Sequence, residues 1–245
     1  YHGVAVADPY RWLEDDRSAD TAAWVKAQNA VTEAWLAAMP QRAPTRALFT
    51  RLYNHERHGL PFQEGTRWFW TRNDGLQPQS VLYTADAPDG APQVALDPNA
   101  LSADGTVALS AAVPSRDGRL LAYGTARAGS DWQTWRVRDL ATGADLPDTL
   151  QWVKFSRAEW TADGRGFFYA RYDEPSAAGA LSGVNAFHKL YYHRLGTAQA
   201  DDVLVAANPA QRQWMFGATV SDDGRLLIVT VRRGVSMDEV GFTAM

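Results

Sequence analysis

A chain of 245 residues with 46% hydrophobic and 21% charged residues has the composition of a folded globular protein, long enough for one large domain or two ordinary ones. Its net charge of -4 gives no electrostatic reason to expect nucleic acid or an anionic membrane surface as a partner. The absence of cysteine excludes disulfides, thiolate metal sites and cysteine nucleophiles, and it leaves cytoplasm and periplasm equally open.

No apolar run approaches the ~18 residues of a membrane span, and no basic-then-apolar leader is present. Tyr1 rather than Met opens the chain, so the native amino terminus is expected upstream. Residues 1–16 read as extended or irregular, with Asp8-Pro9 starting a turn and Trp12 and Leu13 as anchors. Ser18 or Asp20 can cap a helix that runs to about Met39, where Pro40 ends it. Trp24, Ala27, Val31, Ala34, Trp35 and Ala38 share one face of that helix. A second helix is expected from about Pro44 to His55, carrying Leu48, Phe49 and Leu52 inward, with Gly59-Leu60-Pro61 closing it. The Trp-rich face needs a partner, either the side of the following domain or a domain outside this chain.

Near His58 the hydrophobic period changes from 3.6 to 2, which places the domain boundary there: 1–57 helical, 58–245 all β. The β part is organised by a recurring phrase: Ser115-Arg116-Asp117-Gly118-Arg119-Leu120, Thr161-Ala162-Asp163-Gly164-Arg165-Gly166 and Ser221-Asp222-Asp223-Gly224-Arg225-Leu226. Asp-Gly supplies the positive φ of a hairpin turn, and the flanks are apolar, aromatic or β-branched. Strands are expected before the turns at 111–114, 158–160 and 218–220. A fainter copy stands at Glu64-Gly65. Third strands are expected at 79–86, 133–140 and 189–195, and fourth strands at 93–96, near 150–153, and at 202–206. Four antiparallel strands recurring at roughly 45 to 60 residues is the signature of propeller blades. The fold class is therefore mainly β with amino-terminal α-helices, a partial β-propeller of about three blades plus the start of a fourth. Residues 236–245 offer no further strand pattern, so the chain is expected to stop inside a repeat.

Few residues suggest chemistry. His55-Glu56-Arg57-His58 has its histidines three apart rather than the four that lets one helix face hold zinc, and helix-end histidines account for it better. The acidic run Glu14-Asp15-Asp16 fixes no ligand geometry, since consecutive residues diverge. Turn chemistry explains the three Asp-Gly pairs. No Gly-x-Ser-x-Gly elbow and no phosphate loop occurs. The residues alone thus specify a propeller without catalytic machinery, metal or cofactor.

Several phrases, in order and spacing, resemble the prolyl oligopeptidase family of serine peptidases. They include Tyr1-His2-Gly3, Asp8-Pro9-Tyr10-Arg11-Trp12-Leu13-Glu14-Asp15, Ala27-Gln28-Asn29 and Leu96-Asp97-Pro98-Asn99. Gly129-Ser130-Asp131-Trp132, Val153-Lys154-Phe155-Ser156 and Lys189-Leu190-Tyr191-Tyr192-His193-Arg194-Leu195-Gly196-Thr197 extend the match to about Val235. The resemblance implies a seven-bladed propeller capping an α/β-hydrolase domain on which the amino-terminal helices pack. It implies cleavage of oligopeptides after proline by a Ser-Asp-His triad that lies carboxy-terminal to the propeller, so none of its members falls in this chain and the fragment alone is expected to be inactive. A steric role follows for the propeller, admitting oligopeptides and excluding folded proteins. The complete protein is expected to be a monomer whose partners are the peptide and its own hydrolase domain.

The resemblance also implies site residues. Phe155, Met215 and Val235 match an apolar pocket for the residue two before the proline. Asp131 and Arg232 match polar residues where the two domains meet. After Gly234 the family pattern of Asp-Pro and a strand is replaced by Val235-Ser236-Met237-Asp238, which places the register of Val235 in question. The rival reading is a free-standing propeller that binds without catalysis. Against it stand the undocked helices and a blade count below the ~4 to 8 that close a ring. An open arc would leave blade faces and strand edges exposed, so the isolated piece is expected to be marginal or aggregation-prone.

Overall fold

The structure, a computed structural model, describes residues 2–175, 183–233 and 238–244. The chain divides into two compact units, Tyr1–His55 and Glu56–Met245.

In the first unit a 3-10 turn at Arg11–Glu14 leads to α1 (Ala19–Ala37) and α2 (Arg42–Tyr53). Ser18 caps α1: its Oγ accepts the Thr21 N–H at 3.0 Å, and the Thr21 hydroxyl donates to the Trp12 carbonyl at 3.3 Å. The same contact brings the Trp12 and Trp24 rings edge to face at 6.4 Å. α2 starts two residues before Pro44, because a proline in the first helical turn gives up an N–H that has no intrahelical partner. Trp24, Val31 and Trp35 are 40%, 67% and 64% exposed, an apolar stripe left open to solvent.

The second unit is a run of antiparallel meanders. The first comprises β1 (Arg57–His58), β2 (Phe62–Glu64), β3 (Arg67–Asn73), β4 (Val81–Ala85) and β5 (Gln93–Leu96), with β1 and β2 both paired to β3. The second is β6 (Val107–Pro114), β7 (Leu120–Arg127), β8 (Gln133–Asp139) and β9 (Asp145–Val153). The third is β10 (Glu159–Trp160), β11 (Gly166–Arg171), β12 (Lys189–Arg194) and β13 (Val203–Ala206). A last group pairs β14 (Trp214–Val220), β15 (Leu226–Arg233) and β16 (Asp238–Ala244). One bridge, Arg171 to Val153, joins the second and third meanders into a continuous hydrogen-bonded path.

β6 and β14 each begin four residues before the expected strands, at Val107 and Trp214, and two further strands depart more widely from the sequence reading. β9 begins at Asp145 rather than near Leu150; Pro147 reads as a break, but the β8–β9 register shifts between Arg136 and Arg138, and that irregularity accommodates it. The expectation of no strand after residue 236 is corrected: Asp238–Ala244 pairs with Leu226–Arg232 throughout. The open edge of β15 supplies the backbone partners that a weak local pattern did not announce.

Apolar clusters lie between successive meanders. Phe69, Leu82 and Leu96 meet Leu121 and Tyr123. Trp135, Val137 and Leu150 meet Trp160, Phe167 and Tyr169. Phe168 and Leu190 meet Phe216, Val220 and Leu227. Because β11 is covered on both faces, Phe167 and Tyr169 serve one cluster and Phe168 the next, which is why its sequence is apolar at consecutive positions rather than alternating.

The three Asp-Gly turns share one hydrogen-bond pattern. Ser115 Oγ donates to Asp117 Oδ1 at 2.6 Å, Asp117 Oδ1 accepts the Arg119 N–H at 3.1 Å, and Gly118 takes φ 69°. Thr161 with Asp163, and Ser221 with Asp223, repeat it at 2.7 and 2.6 Å. Each aspartate is thus committed to its own turn. Neighbouring turns touch: a Cβ on Gly65 would lie 2.5 Å from the Asp117 carbonyl oxygen, and one on Gly118 would lie 2.5 Å from the Glu64 carbonyl oxygen. Arg116 spans further, donating to the carbonyls of Val220, Ser221 and Asp222 at 2.6, 2.8 and 3.2 Å. Glu159, 3.7 Å from that guanidinium, accepts the Val220 N–H at 2.9 Å. Arg116→Ala is expected to cost about 2 kcal/mol, the worth of charge-assisted bonds whose carbonyls regain water only in part. Urea unfolding midpoints would measure it, with Arg116→Lys recovering less than half.

A second device recurs inside two meanders. In the second, the Tyr123 hydroxyl donates to Asp145 Oδ2 at 2.7 Å and Arg138 Nε donates to Asp145 Oδ1 at 2.8 Å. In the third, the Tyr169 hydroxyl donates to Asp202 Oδ2 at 2.6 Å, and His193 Nδ1 lies 2.7 Å from Asp202 Oδ1. His193 therefore occupies the place that Arg138 holds one meander earlier. Its Nε2 lies 2.9 Å from Asp148 Oδ1, and the ring and both carboxylates are buried.

Candidate functional site

The link between β9 and β10, residues 154–158, carries the sequence-predicted Phe155. Trp152 and Phe155 adopt φ of 62° and 54°, left-handed values that cost a bulky residue of order 1–2 kcal/mol each. Three bonds hold the link there. The Trp152 carbonyl accepts the Tyr172 N–H at 3.1 Å, the Ser156 hydroxyl accepts the Ala170 N–H at 2.7 Å, and the Lys154 carbonyl is met by His188 Nε2 at 3.2 Å. The Phe155 ring is 53% exposed, an apolar group held outward by a constrained backbone.

Beside it lies the largely buried Lys154. Its ammonium sits 4.4 Å from the Trp132 ring centroid and 5.8 Å from that of Phe155. Lys154 Nζ also donates to Asn185 Oδ1 at 3.3 Å and stands 4.0 Å from Asp131 Oδ2. The predicted polar residue Asp131 thus has a cation of the same face as its neighbour. Trp132 packs edge-on against Trp152 and Tyr172 at 6.0 and 6.1 Å, and with Tyr172 and Asn185 it lines a cavity of about 230 Å³.

Met215 and Arg232 are brought together on a different pair of strands. They are register partners on β14 and β15, so both side chains leave the same face of that sheet, opposite to the buried Phe216. Val235 lies outside the described residues. The helix-end histidines are accounted for locally: His55 Nδ1 lies 2.9 Å from the Leu52 carbonyl and His58 Nε2 lies 2.7 Å from Glu56 Oε1. No group of ligands able to hold a metal occurs among the described residues.

His188 joins the two halves of the site. The Phe216 N–H donates to its Nδ1 at 3.0 Å, so the ring proton must be on Nε2, which donates to the Lys154 carbonyl at 3.2 Å. The ring is buried and meets the Tyr172 ring in a tilted contact, centroids 4.7 Å apart. Burial pushes its pKa down to about 4, the bond to the Lys154 carbonyl opposing only in part. It is a neutral imidazole at physiological pH. Sequence reasoning missed Lys154, Trp132 and His188 as site residues. The phrase Ala186-Phe187-His188 carried one signal, a lone histidine in an apolar context before a strand.

Helices followed by antiparallel meanders that bury apolar clusters between them define a β-propeller domain with an amino-terminal helical segment. The chain belongs to the prolyl oligopeptidase family: the family described as "Prolyl oligopeptidase, N-terminal beta-propeller domain" matches residues 1–243. It is 41% identical over 240 residues to the prolyl endopeptidase of Elizabethkingia meningoseptica, covering 98% of this chain and 34% of that protein. It is 35% identical over 261 residues to prolyl oligopeptidase A of Amanita bisporigera, covering 95% of this chain and 34% of that protein. Among solved structures, one from a study of two prolyl endopeptidases superposes with a TM-score of 0.89 at 31% identity, covering 99% of this chain and 36% of the other. Prolyl oligopeptidase B of Galerina marginata, bound to a 35mer hydrolysis and macrocyclization substrate, superposes with a TM-score of 0.84 at 28% identity, covering 99% and 36%. The chain spans about a third of the length of the curated relatives it matches.

Proposed function

We propose that this chain is the amino-terminal part of a serine endopeptidase that cleaves oligopeptides after proline. The observation that carries the reading is the match of nearly the whole chain, helices and meanders alike, to the amino-terminal third of prolyl endopeptidases. On this reading the meanders are three blades and the start of a fourth of a seven-bladed propeller occupying residues 58–245. The helical segment 1–57 docks its Trp24, Val31 and Trp35 stripe on an α/β-hydrolase domain that brings the nucleophile. The propeller narrows access, so that oligopeptides enter and folded proteins do not. Residues 1–245 alone do not hydrolyse peptides.

Phe155 and Met215, with Val235, form the apolar wall for the residue two before the proline; Asp131 and Arg232 lie where propeller and hydrolase meet. The exposed, backbone-held ring of Phe155 supports the first role, since an outward aromatic on a strained link is costly without a contact to make. The test uses the full-length protein and blocked reporter peptides. A Phe-Gly-Pro reporter should be cleaved after proline, and the same sequence inside a folded domain should resist. Phe155→Ala should lower kcat/KM on Phe-Gly-Pro about tenfold, mainly through KM. No cleavage after proline by the full-length protein would overturn the enzymatic reading in favour of a binding propeller. An unaltered kcat/KM in Phe155→Ala would remove Phe155 from the wall.

A further inference from the structure

We propose that His188 is a positioning residue for substrate selection, holding Phe155 and Met215 at the spacing their apolar wall requires. The inference rests on the reading of that wall given above and adds the residue that sets its width.

The argument is geometric. The two backbone groups that His188 bonds, the Lys154 carbonyl at 3.2 Å and the Phe216 N–H at 3.0 Å, belong to the immediate sequence neighbours of Phe155 and Met215. An imidazole is rigid, and its donor and acceptor lie on separate edges, so the β9–β10 link and β14 cannot drift apart without breaking a buried bond. The clamp itself is fixed. The ring is buried, the tilted Tyr172 ring packs against it, and the Phe187 N–H before it donates to the Arg212 carbonyl at 2.9 Å.

The Phe155 side of the clamp most needs holding. With φ at 54°, Phe155 is held between the Lys154 carbonyl bond before it and the Ser156 hydroxyl bond after it, and releasing the first lets the strained backbone shift the ring. Met215 is paired with Arg232 one step inside the end of a fully registered strand pair, and Arg232 is paired in turn with Asp238, so its backbone is held on both sides of β15. Loss of the clamp therefore displaces one side of the wall relative to the other. That alters selection among peptides differing in the residue two before the proline, a change distinct from general loss of stability.

The experiment compares the full-length protein with His188→Ala and His188→Asn on blocked Phe-Gly-Pro and Gly-Gly-Pro reporters. Asparagine keeps an acceptor near the Nδ1 position for the Phe216 N–H but cannot reach the Lys154 carbonyl, so it tests the link even where alanine prevents folding. The unmutated protein should prefer Phe-Gly-Pro by about tenfold in kcat/KM. Either variant should bring that ratio to within about threefold of one, through a higher KM for Phe-Gly-Pro, because a displaced wall forfeits binding made equally in ground and transition states. A preference retained in a folded His188→Asn protein overturns the positioning role and leaves the wall reading standing. No preference in the unmutated protein removes the wall itself, and this inference with it.

Discussion

Between pH 6.5 and pH 4 the folded protein is expected to lose roughly 3 kcal/mol of stability through His188 alone. The unfolded histidine protonates at its ordinary value of 6.5, while the buried one holds out to about 4. Over that interval the unfolded state binds more protons, so acid favours it. His193 acts in the opposite direction. Burial alone would depress its pKa, but the hydrogen bonds to Asp202 and Asp148 outweigh burial and raise it. Its stabilisation is complete below 6.5 and is lost as the pH climbs through the folded value. Stability against pH should therefore form a dome with its crest near 6.5. His188→Gln should flatten the acid limb only, and His193→Gln the alkaline limb only. Urea unfolding across the pH range reads both, and a profile with neither limb altered would mean that other groups dominate.

Phe167→Ala should cost about 4 kcal/mol, within the range measured for deleting a buried aromatic ring. Phe167 is fully buried between the second and third meanders, 5.1 Å from Trp160, 6.1 Å from Tyr169 and 5.5 Å from the His193 ring. The cavity would open inside the apolar cluster that Trp135, Val137 and Leu150 form with Trp160 and Tyr169. Phe167→Leu, which retains most of the volume, should lose less than half as much. A shift in urea midpoint without a change in slope would confirm a stability effect on an intact fold. A cost under about 1 kcal/mol would show that the seam between meanders is not close-packed.

Local signals carried most of the fold. The Ser115, Thr161 and Ser221 phrases located the hairpins because turn chemistry is written in adjacent residues, and the Ser18 cap placed the start of α1. The Ser or Thr two residues before each Asp-Gly belongs to the same local signal, though only the structure shows its hydroxyl closing the turn through the aspartate. What escaped depends on partners. β16 exists because β15 has an edge to offer, and Pro147 fits inside β9 because the β8 register shifts beside it. For the site, the family resemblance pointed to Phe155, Met215, Val235, Asp131 and Arg232, whereas the contacts around them were not legible. His188 meets Lys154 and Phe216 across 34 and 28 residues, and Lys154 borrows the ring of Trp132; no period or motif encodes such contacts. The left-handed backbone at Trp152, Phe155 and Phe187 is likewise imposed by tertiary bonds on residues that would avoid it alone.

The touching turns divide the propeller unit into places that tolerate engineering and places that do not. At Gly65 and Gly118 a single added carbon would meet the backbone of the neighbouring turn, so neither site has room for an epitope, a fluorophore loop or a new chain terminus. Gly143 and Gly196, in the outer connections between β8 and β9 and between β12 and β13, have open space where a Cβ would go. Grafts and circular permutations belong at those outer connections, where extra length costs only loop entropy, about 0.6 kcal/mol per doubling.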